Sequence, residues 1–230
     1  LMDRRARACD VYIGIPFCTT RCAYCSFSSG EIGDGRLVEP YLAALLHEIE
    51  ACAEMAREMG LHIRVGYIGG GTPSSLTTPQ LDRMLAHVEK HFGALAEFTV
   101  EAGRPDTLDA QKLRMLRDHP VTRISINPQT MNDATLVRIG RAHTAKQTVE
   151  AYELARSIGF DDINMDVIAA LPGEDYAMFA HTLAEIRRLR PESLTVHTLA
   201  IKRSSRLHEE KYAQAEQDVA CMVALGRQTA

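Results

Sequence analysis

The 230-residue sequence has no tryptophan, no long hydrophobic run and no excess of basic residues. No stretch approaches the roughly 18 apolar residues that span a bilayer, and the basic first residues lack the apolar segment of a signal peptide. Lys and Arg number 26 against 30 Asp and Glu, with the two signs interspersed, so no basic surface is predicted for a nucleic-acid backbone. We therefore expect a cytoplasmic protein that neither enters a membrane nor takes nucleic acid as its first partner.

A fourth cysteine is missing beside a close group of three. Cys18, Cys22 and Cys25 have the spacing C-x₃-C-x₂-C. Thiolates hold iron–sulfur clusters, and three of them leave one iron of a four-iron cluster open to a small molecule. Two alternatives remain at this point: a zinc site that needs a fourth ligand, or a disulfide with a spare thiol. The other three cysteines are scattered, which is typical of reduced thiols in an intracellular protein.

Short β-branched runs alternate with amphipathic segments about six times, a pattern typical of βα units around one parallel sheet. The length suits a single core. The predicted strands are residues 10–17, 64–69, 97–101, 122–127, 162–168 and 193–199. The predicted helices are residues 39–59, 78–92, 109–118, 145–158 and 176–189. We expect Thr78 to cap the second helix, and Gly60 and Gly159 to end helices.

Polar groups stand at or near the ends of the predicted strands, where a barrel of parallel strands carries its active site. Glu101 and Asp166 are interpreted as functional, because a carboxylate in an apolar strand is costly to bury without a partner. His197 has no partner nearby in sequence and is interpreted as a hydrogen-bonded core residue. The full set is the cysteine loop, residues 69–73, Glu101, residues 127–129, Asp166 and His197.

Three consecutive glycines, Gly69, Gly70 and Gly71, follow the second of these strands. Glycine permits close backbone approach, so the segment suits either a ligand-lining loop or a tight strand-to-helix turn. Its spacing is not that of a nucleotide phosphate loop, which argues against a Rossmann or P-loop enzyme.

The cysteine loop, with Tyr24 before its last cysteine, resembles that of the radical S-adenosylmethionine (SAM) enzymes. More narrowly, the chain resembles the oxygen-independent coproporphyrinogen III oxidase family, including its heme-chaperone and dehydrogenase-like branches. This likeness is carried by residues 12–18, 69–73, Glu101, Gln129, Arg141 and 166–173. The variants at residues 101–106, 126–131 and 195–201 are most similar to the dehydrogenase-like branch.

The resemblance implies an α/β fold, a partial (βα)₆ TIM-like barrel of the radical SAM type. It implies a radical SAM core over residues 1–205, with residues 206–230 as the start of a truncated C-terminal helical segment. Cys18, Cys22 and Cys25 would bind a [4Fe–4S] cluster, and Tyr12 would face the substrate beside it. The implied SAM contacts are Gly70, Gly71 and Thr72 to the methionyl amino group, Arg141 to the carboxylate, Glu101 and Gln129 to the ribose, Tyr24 and Ala200 to the adenine, and Asp166 as a further polar contact.

The chemistry implied by the resemblance is one-electron cleavage of SAM, followed by hydrogen abstraction from a propionate of coproporphyrinogen III. The side chain then loses CO₂ and an electron and becomes a vinyl group. Implied partners are a porphyrinogen or heme-like tetrapyrrole and a reductant protein such as flavodoxin or ferredoxin.

Two positions depart from the heme-making branch: Phe27 stands where that branch has a fourth cysteine, and Gly14 where it often has histidine. Both suit the dehydrogenase-like branch. A heme-binding chaperone on the same core is the alternative, with a radical SAM enzyme acting on another substrate such as RNA behind it. The basic run 202–206 is interpreted as a solvated turn, or else as a site for substrate carboxylates.

Overall fold

The computed structural model describes residues 7–210, 212 and 216–229 of the chain. Its strands are β1 (Ala8–Ile15), β2 (Phe17–Cys18), β3 (Gly30–Glu31), β4 (His62–Gly70), β5 (Glu97–Glu101), β6 (Arg123–Ser125), β7 (Ile163–Ala169) and β8 (Ser193–Thr198). Six of them form one parallel sheet in the order β1-β4-β5-β6-β7-β8, and β2 pairs with β3. The carboxyl ends of all six strands therefore lie at one edge.

The helices are α1 (Val38–Glu58), α2 (Thr78–Phe92), α3 (Ala110–Asp118), α4 (Asp133–Arg138), α5 (Ala145–Ile158), α6 (Tyr176–Leu189), α7 (Arg206–Glu209) and α8 (Glu216–Thr229). Each connection between neighbouring strands of the six-stranded sheet contains at least one helix. In the described residues β1 and β8 are the two edges of the sheet and do not pair, so the barrel is open. The predicted α/β fold with a partial (βα)₆ barrel is confirmed.

The hydrophobic core lies between the sheet and the helices. Phe98 of β5, Leu85 of α2 and Phe179 of α6 belong to one buried cluster. One apolar stripe of α1 faces this cluster, and Leu46 beside it is only partly buried. The buried positions of α1 are Val38, Leu42, Leu45, Ile49, Ala53 and Ala56.

Local end signals explain most element boundaries. Thr77, rather than the expected Thr78, caps α2, and it forms a reciprocal capping box with Gln80. Gly159 ends α5 in the left-handed conformation, as expected. Gly60 follows the last residues of α1 with a φ of 65°.

Strand β6 is shorter than the predicted segment 122–127, and α4 is a helix that the sequence pattern did not indicate. Pro128 offers no N–H to the sheet, and Gln129 has a φ of 68°, so the chain leaves the ladder after β6. It rejoins β7 through a single bridge between Gln129 and Val167. Helix α4 is only six residues long, too short for a clear hydrophobic period.

Helices α7 and α8 follow the last strand. Helix α8 contacts α6, β7 and β8, and its Met222 is buried in the main core. The last helix therefore shares the core of the preceding residues. The expected division of the chain at residue 205 stays a prediction. Among the described helices, none combines the length and apolar composition that a bilayer crossing requires.

The packing of α2 gives a stability prediction. Leu85 is 0% exposed, so Leu85→Ala should lower the free energy of unfolding by about 2–5 kcal/mol through lost burial and a cavity. Met55→Ala is the control, because Met55 is 58% exposed and its truncation should change stability by less than about 0.5 kcal/mol. Urea unfolding followed by circular dichroism measures both, and equal losses would contradict the assigned core.

Candidate active site at the carboxyl end of the sheet

A cavity of about 810 Å³ opens at the carboxyl end of the sheet. Every residue to which the family resemblance gives a role lines it. These are Tyr12, Cys18, Cys22, Tyr24, Cys25, Gly70, Gly71, Thr72, Glu101, Gln129, Arg141, Asp166 and Ala200. The fold thus brings together residues that are up to 188 positions apart in sequence, counted from Tyr12 to Ala200.

The cysteine loop is held in place by distant parts of the chain. Cys18 and Cys22 are buried and Cys25 is partly buried, and all three are free thiols. Ala23 N donates to the carbonyl of Ile139 over 2.9 Å, and Thr72 Oγ1 donates to Cys18 Sγ over 3.5 Å. The three sulfurs are therefore positioned by the barrel rather than by the loop alone.

The sulfurs are spread more widely than the ligands of a single ion. Among the described residues, the side chains that place three ligand atoms within 4.8 Å of one another are Glu50, His87 and His91 on the outer helices. The three cysteines of the loop do not meet this limit. A group larger than one metal ion fits them better than a tetrahedral zinc.

The glycine run packs its backbone directly against the start of the cysteine loop. Gly71 N donates to the carbonyl of Ile15, and Thr72 N to that of Phe17, each over 2.7 Å. A Cβ on Gly71 would lie 2.6 Å from the Phe17 carbonyl oxygen and 3.0 Å from Cys18 Sγ. Gly70 has a φ of 107°. The expected close approach is confirmed, and here its partner is the chain itself.

Glu101 ends β5 inside the cavity. Burial, reinforced by the charge of Asp166, raises its pKa to about 7. Asn127 Nδ2 donates to Glu101 Oε1 over 3.2 Å. The carboxyl group is therefore close to half protonated at neutral pH.

Asp166 of β7 and His197 of β8 face each other across the cavity wall, with Nε2 of the histidine 3.8 Å from Oδ2 of the aspartate. Burial alone would raise the pKa of Asp166, but hydrogen bonding by His197 and Asn164 lowers it below its ordinary value. Asp166 in turn raises the pKa of His197. The expectation that His197 is a core residue was wrong: its side chain is 53% exposed and lines the cavity. Its partner belongs to the neighbouring strand, which no local sequence pattern reveals.

Arg141 is a buried cation that lines the cavity. Its Nη1 donates to the carbonyls of Asn127 and Gly103 over 2.8 and 3.2 Å, and its Nη2 to the hydroxyl of Tyr24 over 3.2 Å. Burial alone would lower the pKa of Arg141, but the neighbouring Tyr24 and Cys22 raise it above its ordinary value. Arg141 thus stays charged within reach of any anion in the cavity.

Several buried polar atoms at the cavity have no hydrogen-bond partner within the described part of the chain. They are Asn127 Oδ1, Gln129 Oε1 and Arg141 Nε. Buried polar atoms are normally satisfied, so these fit a polar ligand that supplies the missing partners. Gln129 differs from the other two residues because its backbone has a positive φ. With this conformation its side chain lines the cavity.

Sequence reasoning missed Arg104, which lines the cavity beside the cysteines. Its Nη2 donates to Cys22 Sγ over 3.2 Å. The only available signal was its place shortly after Glu101, at a strand end. The basic side chains of the run 202–206 are exposed, Arg206 begins α7, and Lys202 lines the cavity, so both interpretations of this run stay predictions.

A family model, similar sequences and similar structures all relate this chain to the same group of proteins. The family model described as the Radical SAM superfamily matches residues 12–186. The oxygen-independent coproporphyrinogen-III oxidase-like protein HemZ of Bacillus subtilis is 44% identical over 207 residues, covering 88% of this chain and 41% of that protein. The heme chaperone HemW of Bacillus subtilis is 38% identical over 196 residues, covering 84% and 51%.

The structure of coproporphyrinogen III oxidase (HemN) from Escherichia coli, a radical SAM enzyme, superposes with a TM-score of 0.84 at 26% identity. The match covers 95% of this chain and 51% of that one. The chain therefore spans about half the length, or less, of these relatives.

The contact between the glycine run and the cysteine loop gives a second prediction. Gly71→Ala should displace the end of β1 or the loop, lowering the free energy of unfolding by about 1–3 kcal/mol and reducing the iron bound per chain. Gly30→Ala is the matched control, because a Cβ there meets nothing within 4 Å. Thermal unfolding and iron analysis after anaerobic reconstitution test this, and wild-type values for Gly71→Ala would contradict the contact.

The environment of Glu101 gives a third prediction, for the cluster-free protein. Its folded pKa of about 7 lies above the ordinary value of 4.5, so the folded state holds an extra proton between these values. The contribution of this proton to the free energy of unfolding is fully present at low pH and is lost as pH rises through about 7. The free energy of unfolding of Glu101→Gln, relative to that of the wild type, should therefore rise by about 2–3 kcal/mol between about pH 5 and about pH 8.

Urea unfolding across this range measures the difference, and Glu97→Gln, at the exposed opposite end of β5, controls for the change of side chain. A difference between Glu101→Gln and wild type that does not vary with pH would show that Glu101 is not perturbed.

Proposed function

The chain belongs to the radical SAM superfamily, whose members use a [4Fe–4S] cluster and SAM, and from this premise we propose that it is an oxidoreductase acting on a tetrapyrrole. Its reaction is the oxygen-independent oxidative decarboxylation of the propionate groups of coproporphyrinogen III. The observation that carries this is the gathering of three free cysteines and the whole predicted SAM-binding set around one cavity.

The cysteines fit the cluster. Cys18, Cys22 and Cys25 supply three thiolates whose spread exceeds that of single-ion ligands. No fourth protein sulfur competes for the remaining iron among the described residues, because Phe27 stands two positions after Cys25. One iron is thus left to bind SAM.

The unpartnered polar atoms fit SAM. Arg141 offers a charged donor for the methionyl carboxylate, and Glu101 and Gln129 offer oxygens for ribose hydroxyls. Gly70, Gly71 and Thr72 border the amino end, Tyr24 and Ala200 the adenine, and Asp166 adds a polar contact. When bound, the cluster and SAM supply one-electron reduction and a radical that abstracts hydrogen. The barrel residues orient the reactants and keep water away.

The open side of the cavity suits a flat, anionic substrate. Tyr12 is 61% exposed and stacks on Tyr67, with ring centroids 5.8 Å apart, while Phe27 adds an exposed apolar surface. Lys202 and Arg21 line the same cavity and offer positive charge to propionates. In the reaction a propionate side chain would give a hydrogen atom to the radical derived from SAM. Loss of CO₂, with transfer of one electron to an external one-electron acceptor, would then leave a vinyl group.

A heme chaperone on the same core is the second candidate. The similarity to HemW favours it. A chaperone would bind heme without converting coproporphyrinogen.

The test is anaerobic reconstitution with iron and sulfide, followed by assay of 5′-deoxyadenosine with and without coproporphyrinogen III. We expect the porphyrinogen to stimulate deoxyadenosine formation and to lose CO₂ in mass spectra. Cys22→Ser should abolish both activities along with the cluster absorbance, whereas Cys52→Ser, on an exposed face of α1, should change neither. Tight heme binding without decarboxylation would favour the chaperone, and a protein that takes up only zinc would overturn the radical chemistry.

A further inference from the structure

Arg104 is a buried cation aimed at one of the three cysteines. The residue is 3% exposed, and its Nη2 lies 3.2 Å from Cys22 Sγ. Within the described residues no ion pair joins its guanidinium to a carboxylate within 4.0 Å; the nearby Asp106 is placed instead 3.6 Å from Nδ1 of His143. A buried guanidinium needs negative partners. Asp106 interacts with Arg104 through charge, and the sulfur of Cys22 is in direct hydrogen-bond contact with it.

The remaining contacts of Arg104 fix its direction. Nη1 donates to Thr20 Oγ1 over 2.6 Å, and Nη2 also donates to the carbonyl of Thr20. Thr20 Oγ1 in turn donates to the carbonyl of Gly140 over 2.9 Å. The guanidinium of Arg104 is therefore held against the loop that carries Cys22, and these bonds keep it directed toward the sulfur.

The three cysteines are treated differently by their surroundings. The donor to Cys18 Sγ is the neutral hydroxyl of Thr72, at the longer distance of 3.5 Å. Arg141 donates to Gly103, Asn127 and Tyr24, and it also interacts with the sulfur of Cys22. Positive charge is thus concentrated around Cys22, and Arg104 makes a direct hydrogen bond to its sulfur over 3.2 Å.

We propose that Arg104 raises the reduction potential of the cluster by stabilising negative charge on the Cys22 sulfur. This inference rests on the proposed binding of a cluster by Cys18, Cys22 and Cys25. An added electron increases the negative charge on the cluster sulfurs, so a nearby donor and positive charge stabilise the reduced form more than the oxidised form. Arg104 is a positioning residue in this role: it makes the cluster easier to reduce by a protein donor without touching SAM or substrate.

The experiment is a redox titration of the reconstituted cluster, followed by electron paramagnetic resonance of the reduced state. Arg104→Met removes the charge and the donor but keeps an unbranched side chain. We expect the equilibrium constant for cluster reduction to fall about tenfold, a shift of about 59 mV to more negative potential for one electron. Arg104→Lys, which keeps the charge, should recover part of the shift. The signal reports only molecules that hold a cluster, so incomplete loading does not obscure the result.

Thr20→Val is the matched control, because it removes the hydroxyl that accepts from Arg104 and donates to Gly140 but leaves the bond from Arg104 to Cys22. Its potential should stay at the wild-type value. Equal potentials for wild type and Arg104→Met would overturn the inference while leaving the proposed function standing. Loss of the cluster from both Arg104 variants but not from Thr20→Val would also overturn it, since Arg104 would then only hold the loop. A wild-type protein that takes up no cluster would overturn the proposed function and this inference together.

Discussion

The site depends on the contact between the backbone of the glycine run and the carbonyls at the end of the first strand. Gly71 donates to Ile15, and any side chain at that position would meet the Phe17 carbonyl. This contact joins the second strand of the barrel to the segment that carries the cysteines. Because the same segment also bonds to Ile139 through Ala23, it is fixed from two sides of the barrel. The chemistry of the thiols thus rests on a packing constraint that only glycine satisfies.

The cavity brings together charges of both signs. Arg104 and Arg141 are buried beside Cys22, Glu101 shares the neighbour Asn127 with Arg141, and Asp166 lies next to His197. Burial disfavours every one of these charges by itself, so each depends on its neighbours. The arrangement offers cations where sulfur anions and a carboxylate are proposed, and oxygen acceptors where hydroxyl groups are proposed. It also explains why the carboxyl of Glu101, which lacks a direct cationic partner among its hydrogen bonds, titrates near neutrality.

The sequence was most informative where short-range physics decides the outcome. Helices α2, α5 and α6 begin and end at the expected residues, because capping groups and an apolar stripe are local properties. The site candidates could be found because they follow strands, and parallel strands bring their carboxyl ends together. His197 was interpreted wrongly and Arg104 was not selected, because the partner of each is remote in sequence. The partner of His197 is Asp166 on the adjacent strand, and that of Arg104 is Cys22, 82 residues away. Nothing in the residues around either one shows what it will meet.

The left-handed conformation of Gln129 has an energetic cost that a glycine at this position would not have. A residue with a side chain costs roughly 1 kcal/mol or more in that region, and glycine would avoid the cost. The backbone here, bonded to β7 through both its N–H and its carbonyl, would accept glycine without rearrangement. A long amide at this position therefore trades stability for a functional group. This cost is consistent with the proposed contact between the Gln129 amide and SAM.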